Sequence, residues 1–426
     1  METLRNGDTG VFVSYLQLAL TRAGYTPGDV DGIFGTRTLD ALSAFQRENG
    51  LSADGIAGRL TWARLYPYLS GYTMHKARQP DTFSSLASKY ETSVSALVTA
   101  NPDVEADDIP VGGSLVIPLP FSIVPDNVPY SYALNTILID GLAARYPFIS
   151  EGLAGSSSMG KRLETVSIGH GSKQVFYNAS HHANEWITSL VLLHFLENYA
   201  KAYAAKEEIA GTDAVGLFNS TTLYLLPLVN PDGVDLVTGA LPVNDSYYRQ
   251  AKALSEYYPS IPFPMGWKAN IAGVDLNLGY PAGWEQARKI KFSQGYTRPG
   301  PRDYVGSAPL AEPENRAVYS YTKKHDFLLT LSYHTQGNVI FYKYLNYDPP
   351  RATEIAGAFA RASGYEVQLT PYNSGFAGYK DWFIQTTNRP GYTIEAGLGE
   401  SPLPLSQFPS IYRDNEGILT LGMALS

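Results

Sequence analysis

His182 and Glu185 stand three residues apart where an apolar run, Val175 to Ala179, breaks into a polar cluster and then into a segment with Ile187, Val191, Phe195 and Tyr199 at every fourth position. The first run has the make-up of a buried strand and the second the spacing of one helix face, so the pair sits on the turn between strand and helix. Side chains three apart on such a turn can aim at one point, and an imidazole with a carboxylate is a donor set that Zn2+ accepts. Taken alone, His-x-x-Glu reads better as a solvated loop pair, and it is the rest of the chain that reverses this. The chain has no cysteine, which excludes disulfides and leaves any metal to histidine, aspartate and glutamate.

Four further places put polar residues at the ends of apolar strands, where open α/β sheets build their sites. The first is Leu228-Val229-Asn230-Pro231-Asp232-Gly233, and the second is Trp267-Lys268-Ala269-Asn270 with Gly273-Val274-Asp275-Leu276-Asn277. The third is Leu331-Ser332-Tyr333-His334-Thr335, and the last holds Glu395 inside Tyr392 to Gly397, a strand otherwise made for burial. A carboxylate there is costly unless it is paired or functional. The other histidines read as bystanders, His194 and His325 on helices and His75 and His170 on the surface or in turns. His181 competes with His182, and the spacing to Glu185 favours His182.

Residues 130–426 carry the elements that must position these groups. Strands are expected at Glu164–Ile168, Val175–Ala179, Thr221–Val229, Leu328–Tyr333, Val339–Tyr344 and Tyr392–Ala396, and helices after Glu185, around Ala311–His325 and over Pro350–Ser363. The fold class that follows is α/β, a mixed central sheet flanked by helices, carboxypeptidase-like once the resemblance below is added.

A length of 426 residues exceeds one typical core, so two or three domains are expected. The net charge of -8 argues against nucleic acid and against a polybasic membrane anchor. No run of about 18 apolar residues is present, and Met1 to Leu4 opens no basic-then-apolar leader. The expectation is a protein that stays inside its cell or has parted from its leader, with no membrane partner. Thirty-one tyrosines suit stacking on sugars or peptides, although core filling accounts for most of them.

Residues 1–70 read as a small helical unit. Val11, Tyr15, Leu16 and Leu20 share a helix face, Leu39, Leu42 and Phe45 mark another, and Asp31-Gly32-Ile33-Phe34-Gly35 and Asp54-Gly55-Ile56-Ala57-Gly58 are two similar turns. Together with Leu16-Gln17, Gly24-Tyr25, Phe45-Gln46 and Thr61-Trp62, these resemble the helical peptidoglycan-binding domain family. Residues 71–120 read as strand, two short helices and strand. Asp81-Thr82, Ala87, Tyr90, Leu97, Asn101-Pro102, Val111-Gly112 and Leu115 to Pro118 resemble a lysin motif (LysM), which binds N-acetylglucosamine polymers. The stretch His75 to Pro80 is longer and more basic than that family's pattern, which puts sugar affinity in doubt. Residues 121–129, with two prolines and little periodicity, read as a linker.

The polar fragments of residues 130–426, taken in order, resemble the zinc carboxypeptidase (M14) family. That resemblance implies one Zn2+ held by His182, Glu185 and His334 with a water, Glu395 as catalytic general base, and Asp275 orienting the first histidine. Lys268 falls where the family places an arginine that polarises the scissile carbonyl. Two imidazoles and one carboxylate leave zinc an open position, and no covalent intermediate is needed.

The chain departs from the family at the substrate. Its Asn-Arg pair, which clamps a terminal carboxylate, is here Asn277-Leu278, and a second arginine of the motif is Asn184. Lys380, before Asp381-Trp382, falls in the pocket for the side chain after the cut, where a lysine selects a carboxylate. Asn184, Asn277, Lys380 and Tyr372 are the implied substrate-binding residues. Wall-binding modules, a lost clamp and a cationic pocket point to meso-diaminopimelate, and the architecture resembles the bacterial γ-D-glutamyl-L-diamino acid endopeptidases. The expected partner is peptidoglycan, its stem peptide as substrate and its glycan strands on the N-terminal modules. The alternatives are a metallocarboxypeptidase trimming C-terminal residues and a non-catalytic wall-binding protein. Sporulation, wall turnover and recycling stay open as settings.

Overall fold

A computed structural model describes all 426 residues. The chain forms two compact units, Met1–Pro129 with Ala133–Ser150, and Tyr130–Tyr132 with Glu151–Ser426. No helix is long and apolar enough to cross a membrane.

In the first unit, helices Val11–Arg22, Thr36–Glu48 and Arg59–Ser70 bury the stripe read from the sequence, with Val11, Tyr15, Leu16, Leu20, Leu42 and Phe45 all inside. The two similar turns are held in the same way. Gln17 Nε2 donates to Asp31 Oδ1 at 2.8 Å, and its Oε1 accepts from Gly32 N at 2.9 Å. Gln46 repeats this with Asp54 Oδ1 at 2.9 Å and Gly55 N at 3.0 Å. One buried glutamine per turn thus satisfies backbone groups that a loop otherwise strands.

Strands Tyr72–Lys76 and Ser114–Pro118 pair antiparallel around helices Phe83–Lys89 and Val94–Ala100, over a core that includes Phe83, Leu86, Leu97 and Ile117. His75 corrects the reading of a surface residue. It lies buried on the first of these strands, with Nε2 2.9 Å from Asp81 Oδ2 and Nδ1 2.9 Å from the Tyr90 hydroxyl. The basic stretch that follows is therefore anchored to Asp81, whose carboxylate also accepts from Arg78 N at 2.6 Å. Residues 121–129 are not loose. Ile123, Val124 and Val128 are buried, and Arg145 Nη1 donates to Phe121 O at 2.7 Å.

The second unit is built on a sheet of eight strands. From edge to edge they are Glu366–Gln368, Val339–Phe341, Gly391–Glu395, Phe327–His334, Lys173–Ala179, Thr221–Leu226, Arg162–Ile168 and Ile149–Ser156. Four central strands, those ending at Glu395, His334, Ala179 and Leu226, run parallel. Their carboxyl ends therefore open on one edge. They are mostly buried on both faces, as strands covered by helices on both sides must be. Helices Ile187–Ala205 and Phe408–Ala424 pack on this sheet, and Pro313–Lys323 and Tyr379–Thr387 also contribute to the buried core. All six expected strands are present within a few residues. Thr221–Leu226 stops short of Val229 because Pro227 lacks the N–H to continue the ladder. His325 lies just past the helix it was assigned to, where its Nδ1 donates to Tyr321 O at 2.8 Å and satisfies a terminal carbonyl.

Candidate metal centre

The strand Lys173–Ala179 ends in Ser180, which takes a left-handed φ of 54°, and the chain then turns through a short 3-10 segment, Ala183–Glu185, into the helix Ile187–Ala205. Asn230, four residues past the neighbouring strand and capping the helix Pro231–Thr238, fixes this turn. Its Nδ2 donates to His181 O at 3.1 Å and Ala269 O at 3.0 Å, and Ala183 N donates to Lys268 O at 2.9 Å. The turn bearing His182 and Glu185 is thereby stapled to the loop bearing Lys268. His334 arrives from the next parallel strand, and Glu395 stands directly opposite it in register on the one beyond.

These elements bring His182, Glu185 and His334 together. His182 Nδ1 is 3.0 Å from Glu185 Oε1, His334 Nδ1 is 2.9 Å from Glu185 Oε2, and the two Nδ1 atoms are 3.1 Å apart. One donor atom from each residue falls within 4.8 Å of the others, and all three residues are buried. Ligands about 2 Å from a tetrahedral centre lie about 3.3 Å from one another, so the set has the compactness a single divalent cation requires. The far side of the first ring also fits. His182 Nε2 is 3.0 Å from Asp275 Oδ1, which fixes that nitrogen as an N–H and leaves Nδ1 as the nitrogen that faces the cluster. Asp275 is held by Asn277 N at 3.1 Å and Asp303 N at 3.2 Å. His181 is excluded from the cluster, with Nε2 3.0 Å from the Tyr280 hydroxyl.

The cluster is electrostatically loaded. Burial alone pushes His182 down, but the charges of Glu185 and Asp275 overcome it and carry the ring up to about 9, against the opposing Lys268. Burial lowers His334. Glu395 is pushed up to about 8, by burial first and then by the negative charge of Glu185, with Lys268 and His182 pulling the other way. Lys268 Nζ lies 3.0 Å from Glu185 Oε1.

Beside the cluster opens a cavity of about 350 Å³ lined by His182, Lys268, Asp275, Asn277, Lys380 and Glu395 among others. Lys380 is almost fully buried, its ammonium donating to Asp381 Oδ1 at 2.6 Å and Lys343 O at 2.7 Å. Asn277 lines the cavity while its Oδ1 accepts from Tyr379 N at 3.1 Å. Two implied substrate-binding residues are not among the lining. Asn184 is buried and donates to Ser401 O at 3.2 Å, because the 3-10 turn that aims His182 and Glu185 at the cluster faces it the other way. Tyr372 is exposed on an outer loop, its hydroxyl 3.1 Å from Gln286 Nε2, and Thr370, Pro371 and Ser374 of that loop reach the cavity instead. Sequence reading missed Lys291, Arg302 and Asp303, which also line the cavity. They lie outside any apolar strand, so no strand-end signal marks them.

A family model described as zinc carboxypeptidase matches residues 136–416. The chain belongs to the zinc carboxypeptidase family. It carries two further matches, to a peptidoglycan binding domain over residues 9–65 and to a LysM domain over residues 75–118. Among relatives, gamma-D-glutamyl-L-diamino acid endopeptidase 1 of Lysinibacillus sphaericus is 42% identical over 296 residues, covering 70% of this chain and 72% of that protein. Carboxypeptidase B of Bos taurus is 25% identical over 266 residues, 58% of this chain and 57% of that one. The structure of carboxypeptidase A from Helicoverpa armigera superposes with a TM-score of 0.53 at 17% identity, over 92% of this chain and 88% of that one, a likeness of fold alone. As a zinc carboxypeptidase family member the chain is a zinc metallopeptidase, and His182, Glu185 and His334 form a group able to hold a metal ion.

The loop of this family member that carries Lys268 rests on a buried acidic network. Trp267 Nε1 donates to Asn270 O at 3.0 Å, and Asn270 Nδ2 donates to Glu312 Oε2 at 2.8 Å, with Glu314 Oε2 at 3.4 Å. Glu314 also accepts from Ser158 N at 2.7 Å. Burial, reinforced by Asp232, pushes Glu314 up to about 7. An unfolded glutamate titrates near 4.3, so the folded chain holds the extra proton between those values. Stability from this residue is complete below pH about 4.3 and is lost as pH rises through about 7, a swing of about 4 kcal/mol. Thermal unfolding of Glu314→Gln against wild type across that window is expected to show the variant gaining stability relative to wild type as pH rises. Parallel pH dependences refute the assignment.

Proposed function

We propose that this chain hydrolyses the bond between the γ-carboxyl of D-glutamate and meso-diaminopimelate in peptidoglycan stem peptides, with the N-terminal modules resting on the glycan strands. The observation that carries the reading is the convergence of two imidazoles and one carboxylate beside a cavity that also holds Glu395 and Lys268, in a chain with two further wall-binding matches. The relative from Lysinibacillus sphaericus supports the choice of bond.

His182, Glu185 and His334 would hold one Zn2+, which supplies Lewis acidity and lowers the pKa of water to about 7 when bound. Asp275 keeps His182 in the tautomer that presents Nδ1. Glu395 takes the proton of the attacking water and passes it to the departing amine of diaminopimelate, so one carboxylate serves as base and then acid. The Lys268 ammonium donates to the carbonyl oxygen as negative charge builds on it.

Digestion of purified muropeptides by the full chain, with products weighed by mass spectrometry, tests the assignment. The expected products are the peptide ending in D-glutamate and the fragment beginning with diaminopimelate. Release of a C-terminal alanine instead overturns the choice of bond.

A further inference from the structure

Four cations line the cavity, Lys268, Lys291, Lys380 and Arg302. Each lysine already has a carboxylate. Lys268 lies 3.0 Å from Glu185, Lys291 lies 2.6 Å from Asp303, and Lys380 lies 2.6 Å from Asp381. Arg302 differs. Its Nε donates to Asp303 Oδ2 at 2.6 Å, and its two terminal nitrogens have no protein partner. Its side chain is 42% exposed, against 19% for Lys268, 10% for Lys291 and 4% for Lys380.

The backbone aims this guanidinium. Pro301 O accepts from both Lys268 N at 2.7 Å and Ala269 N at 2.9 Å, which fastens the loop before Arg302 to the loop that carries Lys268. On the other side, Asp303 N donates to Asp275 Oδ2 at 3.2 Å, so Arg302 is bracketed by two residues pinned to the metal-site framework. Asp303, clamped by Lys291, in turn grips Nε and sets the plane of the guanidinium. A planar fork with its outer edge free is the geometry that binds a carboxylate through two parallel bonds.

We propose that Arg302 is the specificity residue that binds a carboxylate of the substrate, in a position that none of the three lysines can fill. This rests on the peptide substrate named above. That peptide has carboxylates on both sides of the cut, the α-carboxylate of the γ-linked D-glutamyl residue and the carboxylates of diaminopimelate. The shared chemistry is an acidic group in bidentate contact.

The test uses the full-length, zinc-loaded chain carrying Glu395→Gln, so that binding is read without turnover. Calorimetry measures L-Ala-γ-D-Glu-meso-diaminopimelate and three analogues, one amidated at the glutamyl α-carboxyl and one at each of the two carboxyls of diaminopimelate. Adding Arg302→Met is expected to weaken the unmodified tripeptide roughly 10- to 100-fold, and Arg302→Lys to recover part of it. One amidated analogue should bind equally with and without Arg302, which names the carboxylate. Equal Kd values within threefold for the tripeptide, or the same loss for all four peptides, overturn the proposal. Unfolding midpoints of both variants guard against a folding defect, and Arg302→Lys keeps the test standing if Arg302→Met does not fold. Hydrolysis of the same tripeptide by wild type is scored separately. Cleavage without dependence on Arg302 sinks this inference alone, and Arg302-dependent binding without cleavage at the γ-glutamyl bond sinks the bond assignment alone.

Discussion

Replacing Glu395 with glutamine is expected to lower kcat roughly 100- to 10,000-fold while metal content and the unfolding midpoint stay near wild type. The substitution keeps shape and removes the one group that can take a proton from the attacking water. Glu395 is none of the three clustered donors, so metal retention should not change. Stability should change little as well, because glutamine keeps the shape and hydrogen-bonding capacity of the carboxyl at this buried position. Steady-state kinetics on the tripeptide, elemental analysis and calorimetric unfolding check the three parts. A kcat within tenfold of wild type removes Glu395 from the role of base. Loss of metal in the variant makes it a ligand instead.

How much of this was legible beforehand depended on where each group sits. His334 and Glu395 were visible because a polar residue at the end of an apolar run stands out, and the parallel register then places them side by side. His182 and Glu185 were marked by the strand-to-helix switch, but it took the other polar fragments of the domain and the resemblance they carry to raise the pair above a solvated loop. Ile149–Ser156 escaped because only its first residue is fully buried, so it shows no alternation, and Glu366–Gln368 is three residues of mostly polar edge. Asn184 and Tyr372 failed as cavity residues for a different reason. A sequence gives the position of a side chain along the chain, but the direction it takes on a 3-10 turn or an outer loop is set by packing. Arg302 shows the converse. Its use depends on Asp303, Lys291 and Pro301, each fixed by a partner at least 12 residues away, a relation no local pattern carries.

Loss of the metal should have the largest effect of all. Chelation of wild type, or His334→Ala, is expected to reduce hydrolysis to background, at least 1,000-fold, and to lower the unfolding midpoint of the catalytic unit, because a metal bound only by the folded chain adds its binding energy to folding. The His334 ring is buried and its Nδ1 faces both Glu185 and His182, so its removal leaves two ligands and an uncompensated gap beside a buried carboxylate. Glu185 then keeps only Lys268, His182 and Thr335 N as partners. The two perturbations separate on adding back Zn2+. The chelated wild type should regain activity and midpoint together, while His334→Ala should regain neither at stoichiometric metal. Binding to insoluble peptidoglycan, assigned to the N-terminal modules, should persist in both. Full activity after exhaustive chelation would show that the cluster of His182, Glu185 and His334 is structural, and that the nucleophilic water is activated without a cation.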